Sequence, residues 1–192
     1  MIKKLFFFLN IFLIYLLSIS ISPADIKSNL INKLTETKTL TFSFKQKISD
    51  KEEMGNCFIK YPLLMKCNYQ NLKQKIIISN GKTVAIIKKK YKKIYLYPIK
   101  STPLFFILAK EKIIGLIRKT NPIEINSNLV GFIFVDKKTN KVKILFDKNS
   151  LEFKGWKTKD SYSNKVSFEI DNLIINNQIV DDFFKIPQEK DL

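Results

Sequence analysis

The chain has 192 residues, 45% of them hydrophobic, which is enough for one domain with a buried core, and its Gly and Pro counts are too low for a disordered chain. It contains no histidine, which excludes Ser-His-Asp and Cys-His devices and histidine-ligated metal sites. Lys and Arg number 34 against 17 Asp and Glu, a net charge of +17; nucleic acid, a membrane surface or an acidic partner would each suit it, but the joint excess of Lys, Ile and Asn makes base-composition bias plus solubility the simpler reading.

Residues 1–24 read as a cleaved signal peptide. "MIKK" is a charged opening, Leu5 to Leu17 form an apolar run short for a membrane span, and Ser22-Pro23-Ala24 is a small-x-small cleavage site before Asp25. No cysteine stands near that junction to carry a lipid anchor, and export implies a compartment that permits disulfides. The remainder, 25–192, reads as a single domain without repeats.

That domain opens with an amphipathic helix, because Ile26, Leu30, Ile31 and Leu34 fall on one face. The period then drops to two. In "TLTFSFKQKI", Leu40, Phe42 and Phe44 alternate with Thr and Ser, which predicts a strand with one dry face. "NCFIKYP" places Cys57, Ile59 and Tyr61 together, and "MKCNY" places Met65, Cys67 and Tyr69 together against Lys66 and Asn68. Two β-branched runs flank Asn80-Gly81, predicting a type I′ hairpin. The lysines Lys88-Lys89-Lys90 and Lys92-Lys93 around Tyr91 repel one another and read as a solvated hairpin end before the strand "KKIYLYPI". In "STPLFFILAK", Thr102 is a predicted cap, Pro103 suits the first helical position, and Leu104, Phe105 and Leu108 face together. Lys112–Lys119 is a candidate second short helix. Strands resume at "LVGFIFVD", turn at "KKTN", and continue through "KVKILFD", "LEFKGWK", "KVSFEID" and "DFFKI".

Many antiparallel strands with short helical interruptions predict one large curved sheet, an unclosed barrel covered by helices, with a Greek-key sandwich as the alternative. Nothing in the inventory is catalytic. No glycine-rich phosphate loop is present, the two cysteines do not fit a zinc ribbon, and Asp181-Asp182 would point to opposite faces of a strand. The chain reads as a non-enzyme without cofactor or metal. Its 16 Phe and seven Tyr instead suit an apolar cavity between curved sheet and lid, the only thing a lipid-like ligand needs.

The motifs together resemble the LolA family, periplasmic carriers of outer-membrane lipoproteins. Phe44-x-Gln46 resembles the end of the family's first strand. Gly55 stands seven residues before Pro62, Tyr69 continues the following strand, and Asn80-Gly81-Lys82-Thr83 corresponds to an Asp-Gly turn. "STPLFFIL" resembles the opening of the lid helix, Leu151-Trp156-Asp160 a Leu…Trp…Asp segment, and Phe184, Pro187 and Asp191 the closing motif. The resemblance implies a monomeric carrier with three partners and no nucleic acid. It would take acylated lipoproteins from an inner-membrane ABC transporter and pass them to an outer-membrane acceptor. The alternatives are a LolB-like acceptor, which would need an N-terminal lipidated cysteine, and a basic module for anionic envelope glycolipid or polymer. A sigma-factor-regulatory sensor on the same fold would need a second domain. The candidate acyl-chain cavity is Leu40, Phe42, Phe44, Ile59, Met65 and Tyr69 with Phe105 and Leu108 from the lid. Where the family has an arginine before the hairpin proline, this chain has Tyr61, so Tyr61 and Lys66 are the candidate lid contacts. Met65 and Cys67, and Ala85 after the Asn-Gly turn, occupy positions where the family has aromatics.

Both cysteines lie in one hairpin. If it is centred on Pro62, Cys57 and Cys67 are directly opposed on the apolar face, at a separation a disulfide tolerates. The resemblance strengthens the pairing, since both positions depart from the family residues together.

Overall fold

The computed structural model describes residues 23–135, 141–160 and 163–192. The expected signal segment lies outside these except for Pro23 and Ala24, and the expected "KKTN" turn lies wholly outside them. The N-terminal helix α1 spans Pro23–Glu36 and buries Ile26, Leu30 and Leu34, with Ile31 partly covered, the stripe its sequence period demands. Six strands follow: β1 Thr39–Ile48, β2 Lys51–Lys60, β3 Leu64–Tyr69, β4 Lys75–Asn80, β5 Thr83–Lys88 and β6 Lys93–Pro98. Two helices, α2 Leu104–Leu108 and α3 Lys110–Lys119, separate these from β7 Ile123–Asn126, β8 Leu129–Val135, β9 Lys141–Asp147, β10 Phe153–Lys159 and β11 Lys165–Ile175.

All the strands form one antiparallel sheet in the order β6-β5-β4-β3-β2-β1-β11-β10-β9-β8-β7. Two meanders meet at a central seam, where β1 pairs with β11 from Leu40↔Ile175 to Ile48↔Val166. The sheet does not close: β6 and β7 are its edges. The α2–α3 connection runs from one edge to the other, and its Ile107, Leu108, Ile113, Ile114 and Ile117 are buried in the same core as the sheet's inner face. The helices therefore form a lid over a half-barrel.

Local chemistry explains most turns and departs from expectation at several. The β4–β5 turn is Gly81-Lys82, one residue later than expected, with positive φ at Gly81 (+92°) and not at Asn80, so it follows the II′ rather than the I′ pattern. Asn80 Oδ1 instead accepts from the N–H groups of Lys82 and Thr83 at 3.1 and 2.9 Å. Thr102 does not cap α2; its hydroxyl donates to the Ile99 carbonyl at 2.9 Å, closing the preceding turn. The segment "DFFKI" is not a strand. Asp181–Phe184 is a 3-10 turn laid on the outer face, where Phe183 meets Phe58 at 4.9 Å between centroids and Phe184 is buried. Beyond it, Ile186 and Leu192 cover Ile78, Ala85 and Ile87. Ala85 is thus fully buried on the outer face rather than lining the interior.

Candidate functional site

The inner face of the sheet is crossed by a belt of rings. Tyr69 on β3 and Phe44 on β1 meet edge-to-face at 4.8 Å, Phe44 stacks on Phe168 of β11 at 4.6 Å, and Phe168 stacks on Trp156 of β10 at 3.9 Å. Phe153 and Phe146 continue the belt toward Phe132 on β8. Gly55 of β2 makes the first of these contacts feasible. It is paired with Phe44 on one side and Tyr69 on the other, and because it has no side chain the two rings meet over it. A Cβ built there would lie 2.1 Å from the Asn68 carbonyl oxygen and 2.8 Å from the Phe44 ring. The Tyr69 hydroxyl donates to Gln46 Oε1 at 2.7 Å. Burial, with a smaller contribution from nearby Glu53, pushes the Tyr69 phenol above its ordinary pKa and keeps it a donor. Phe44, Gln46, Gly55 and Tyr69, separate in the sequence, are one packing unit.

The residues expected to form the acyl-chain cavity are gathered on the inner face. Leu40, Phe42, Phe44, Ile59, Met65, Tyr69 and Leu108 are buried in one core, with Phe105 partly buried against it. Cys57 and Cys67 are opposed in register and joined by a disulfide, with Cα atoms 4.1 Å apart, beneath the lid. This interior is packed, not hollow: the cavity below α1, lined in part by Leu40, Tyr61, Phe146 and Phe153, has a volume of about 20 Å³.

The lid is fastened at one rim of the half-barrel. The Leu63 N–H donates to the Leu108 carbonyl at 3.1 Å, and the Leu63 carbonyl accepts from Ser79 Oγ at 2.6 Å. Lys110, at the start of α3, donates to the carbonyls of Thr35 and Thr37 at 3.0 and 2.9 Å, tying the lid to the end of α1. At the other end of the helix pair, Lys27 of α1 donates to the Arg118 carbonyl at 3.1 Å. Tyr61 meets the lid through its ring face, with Lys110 Nζ 5.8 Å from the centroid. Lys66 is not a lid contact. It points to the outer face, 4.2 Å above the Phe183 ring, and burial there, with repulsion from Lys89, lowers its pKa. Lys110 is the cation that fastens the lid at the rim beside Tyr61, as Lys27 does at the other end, and a lysine donating to main-chain carbonyls leaves no sequence pattern by which to find it.

Comparison with protein-family models matches residues 35–187 to LolA, described as outer membrane lipoprotein carrier protein. The chain belongs to the LolA family. Its unclosed antiparallel sheet under a helical lid is the fold of that family. Among solved structures, an uncharacterized conserved protein from Thermus thermophilus is 6% identical, with a TM-score of 0.52 over 86% of this chain and 95% of its own. A LolA superfamily protein from Nitrosomonas europaea is 8% identical, with a TM-score of 0.45 over 83% of this chain and 97% of its own. A putative outer membrane lipoprotein-sorting protein domain from Vibrio parahaemolyticus is 10% identical, with a TM-score of 0.46 over 82% and 94%. A search of curated proteins found no significant match. LolA-family proteins are periplasmic and bind lipids or lipoproteins; they are binding and carrier proteins rather than enzymes. No helix among the described residues is long and apolar enough to cross a membrane.

Proposed function

We propose that this LolA-family protein is exported by a cleaved signal peptide and works as a monomer in the periplasm. It takes acylated lipoproteins from an inner-membrane ABC transporter and delivers them to an outer-membrane acceptor. The observation that supports this reading is the pairing of a largely apolar inner face, whose few polar groups such as Gln46 and Ser79 are hydrogen-bonded within the protein, with a lid fastened to it by a handful of polar contacts. Each methylene sheltered there contributes about 0.8 kcal/mol, so transfer from water needs no chemistry and no cofactor. The closed interior, with a cavity of about 20 Å³, has no room for an acyl chain; ligand pockets run to about 300–1,000 Å³. Loading therefore requires α2 and α3 to lift, which frees Leu108 and Phe105 from Leu40, Phe42, Phe44, Ile59, Met65 and Tyr69. The acyl chain takes the place of the lid side chains, and release is the reverse exchange. Tyr61 and Lys110 sit where the lid meets the rim and act as its latch. Native mass spectrometry of the protein purified from the cell envelope tests the proposal. An acylated polypeptide bound to the chain is the expected result; protein that carries none, and that fails to immobilise a spin-labelled fatty acid, would refute it.

A further inference from the structure

Antiparallel pairing sends alternate hairpins to opposite rims of the half-barrel. The lid is fastened at the rim holding the β2–β3 and β4–β5 turns. The far rim collects the β1–β2, β3–β4, β5–β6 and β10–β11 hairpins and the facing ends of β8 and β9. On this far rim the lysines gather. The β5–β6 hairpin brings Lys88, Lys89, Lys90, Lys92 and Lys93, and the β3–β4 loop brings Lys73. Around the β1, β11, β10 and β9 ends lies a trough of about 740 Å³ lined by Lys47, Lys141, Lys143, Lys157, Lys159 and Lys165. Asp50 is its acidic lining residue. Among the described residues none of these six lysines forms a salt bridge; the acids Glu52 and Glu53 at the same rim are engaged by Lys45 and Lys75 instead. Water and salt screen the repulsion among like charges so placed, and an anionic surface would turn it into attraction.

The second observation is apolar. Leu72, at the tip of the β3–β4 loop, is 90% exposed, Tyr91 in the β5–β6 hairpin is 52% exposed and Val135 at the end of β8 is 57% exposed. Each projects from the same rim beside lysines. A soluble polyanion would engage the lysines but gains nothing from apolar side chains at separate loop tips. A lipid headgroup layer takes both at once: phosphates for the ammonium groups and an interface for Leu and Tyr. Taken alone, the Lys88–Lys93 cluster is a solvated turn; the fold sets it in a row with the other basic hairpins.

We infer that the far rim docks on the surface of a membrane bearing anionic phospholipid headgroups. Leu72 and Tyr91 enter the headgroup layer, and the trough and hairpin lysines contact phosphates. The lid rim then faces away from that membrane. This docking does not depend on what the interior carries.

The test uses the processed protein, residues 25–192, carrying Leu72→Trp, whose only other tryptophan, Trp156, is buried. Vesicles of phosphatidylcholine with phosphatidylglycerol are compared with phosphatidylcholine alone. On the anionic vesicles the Trp emission at position 72 is expected to shift to the blue and to be quenched by brominated lipid. Four charge reversals in that background, Lys88→Glu, Lys90→Glu, Lys141→Glu and Lys165→Glu, are expected to weaken association at least a hundredfold at low salt, since each lysine near such a surface is worth roughly fivefold. The cleaved apolar segment is absent from this form and adds no vesicle affinity of its own, and thermal melts confirm that all variants fold. Vesicle binding without a blue shift or quenching at position 72, or unchanged by the reversals, would overturn the inference. Equally tight binding to soluble polyphosphate that is indifferent to Leu72→Ser would also overturn it, in favour of a polyanion site.

Discussion

Replacing Lys110 with methionine should loosen the lid without disturbing the core. The methionine keeps an apolar stem over the Tyr61 ring and removes both hydrogen bonds to the Thr35 and Thr37 carbonyls. Hydrogen bonds from charged donors contribute about 1.5–3 kcal/mol each when buried, and partial exposure reduces these two to about 1 kcal/mol apiece. The closed state then loses about 2 kcal/mol against the open one, which raises the open population roughly thirtyfold. If an acyl chain enters only the open form, its apparent affinity scales with that population, so the Kd for a fluorescent fatty acid should fall by up to about thirtyfold. Amide exchange at Leu108 and Ile113 should accelerate by a similar factor, while amides of the central seam between β1 and β11 keep their protection. Unchanged affinity together with unchanged exchange in α2 and α3 would refute the assignment of Lys110 as the latch.

Gly55→Ala should destabilise the fold by about 3 kcal/mol, because the added carbon meets the Asn68 carbonyl and the Phe44 ring and must separate paired strands; a urea midpoint shifted by less than the equivalent of about 0.5 kcal/mol would contradict the packing described. Thiol titration of denatured, unreduced protein should find no free thiol, and reduction should lower stability by about 2.5 kcal/mol, the value for so short a loop. Asp147 has its pKa held below the ordinary carboxylate value, first by the Ser150 N–H and also by the Asn149 N–H. Its stabilising contribution is therefore present above the unfolded value and lost as pH falls through the folded one. The stability gap between wild type and Asp147→Ala should be full at neutral pH and close in strong acid, as read from denaturation series across pH.

Periodicity made most of the sheet legible. Strands such as β1 and β3 alternate cleanly, which put Cys57 and Cys67 on the apolar face, while the position of Pro62 midway between them set the hairpin register that joins them. The alternation also set Lys66 on the face opposite Met65 and Cys67. The expectation that Lys66 would reach the lid ran against that pattern, and the pattern prevailed. β7 escaped notice because its four residues, mostly exposed at a sheet edge, carry no dry face. The segment around Phe183 and Phe184 looked like a strand because it is apolar, yet its rings cover the outer face from a turn. The ring belt was visible as composition, but not the way Gly55 lets Phe44 touch Tyr69 across an intervening strand. The latch at Lys110 and the basic rim depend on tertiary neighbours alone.

The seam between β1 and β11 sets the order in which the molecule can be assembled. Its partners, such as Leu40 and Ile175, lie nearly the whole domain apart in sequence, whereas every other strand pairing is between consecutive strands. The six-strand meander from β1 to β6 can form from local contacts as soon as it is available, but it then presents two open edges, and the inner one stays unpaired until β11 arrives. Loop-closure entropy makes that last pairing slow. During the wait the bare β1 edge is a template for another copy of the same meander. A holding chaperone that recognises an exposed edge strand would therefore act on this chain before the arrival of its C-terminal strand, and would have no purchase on it afterwards.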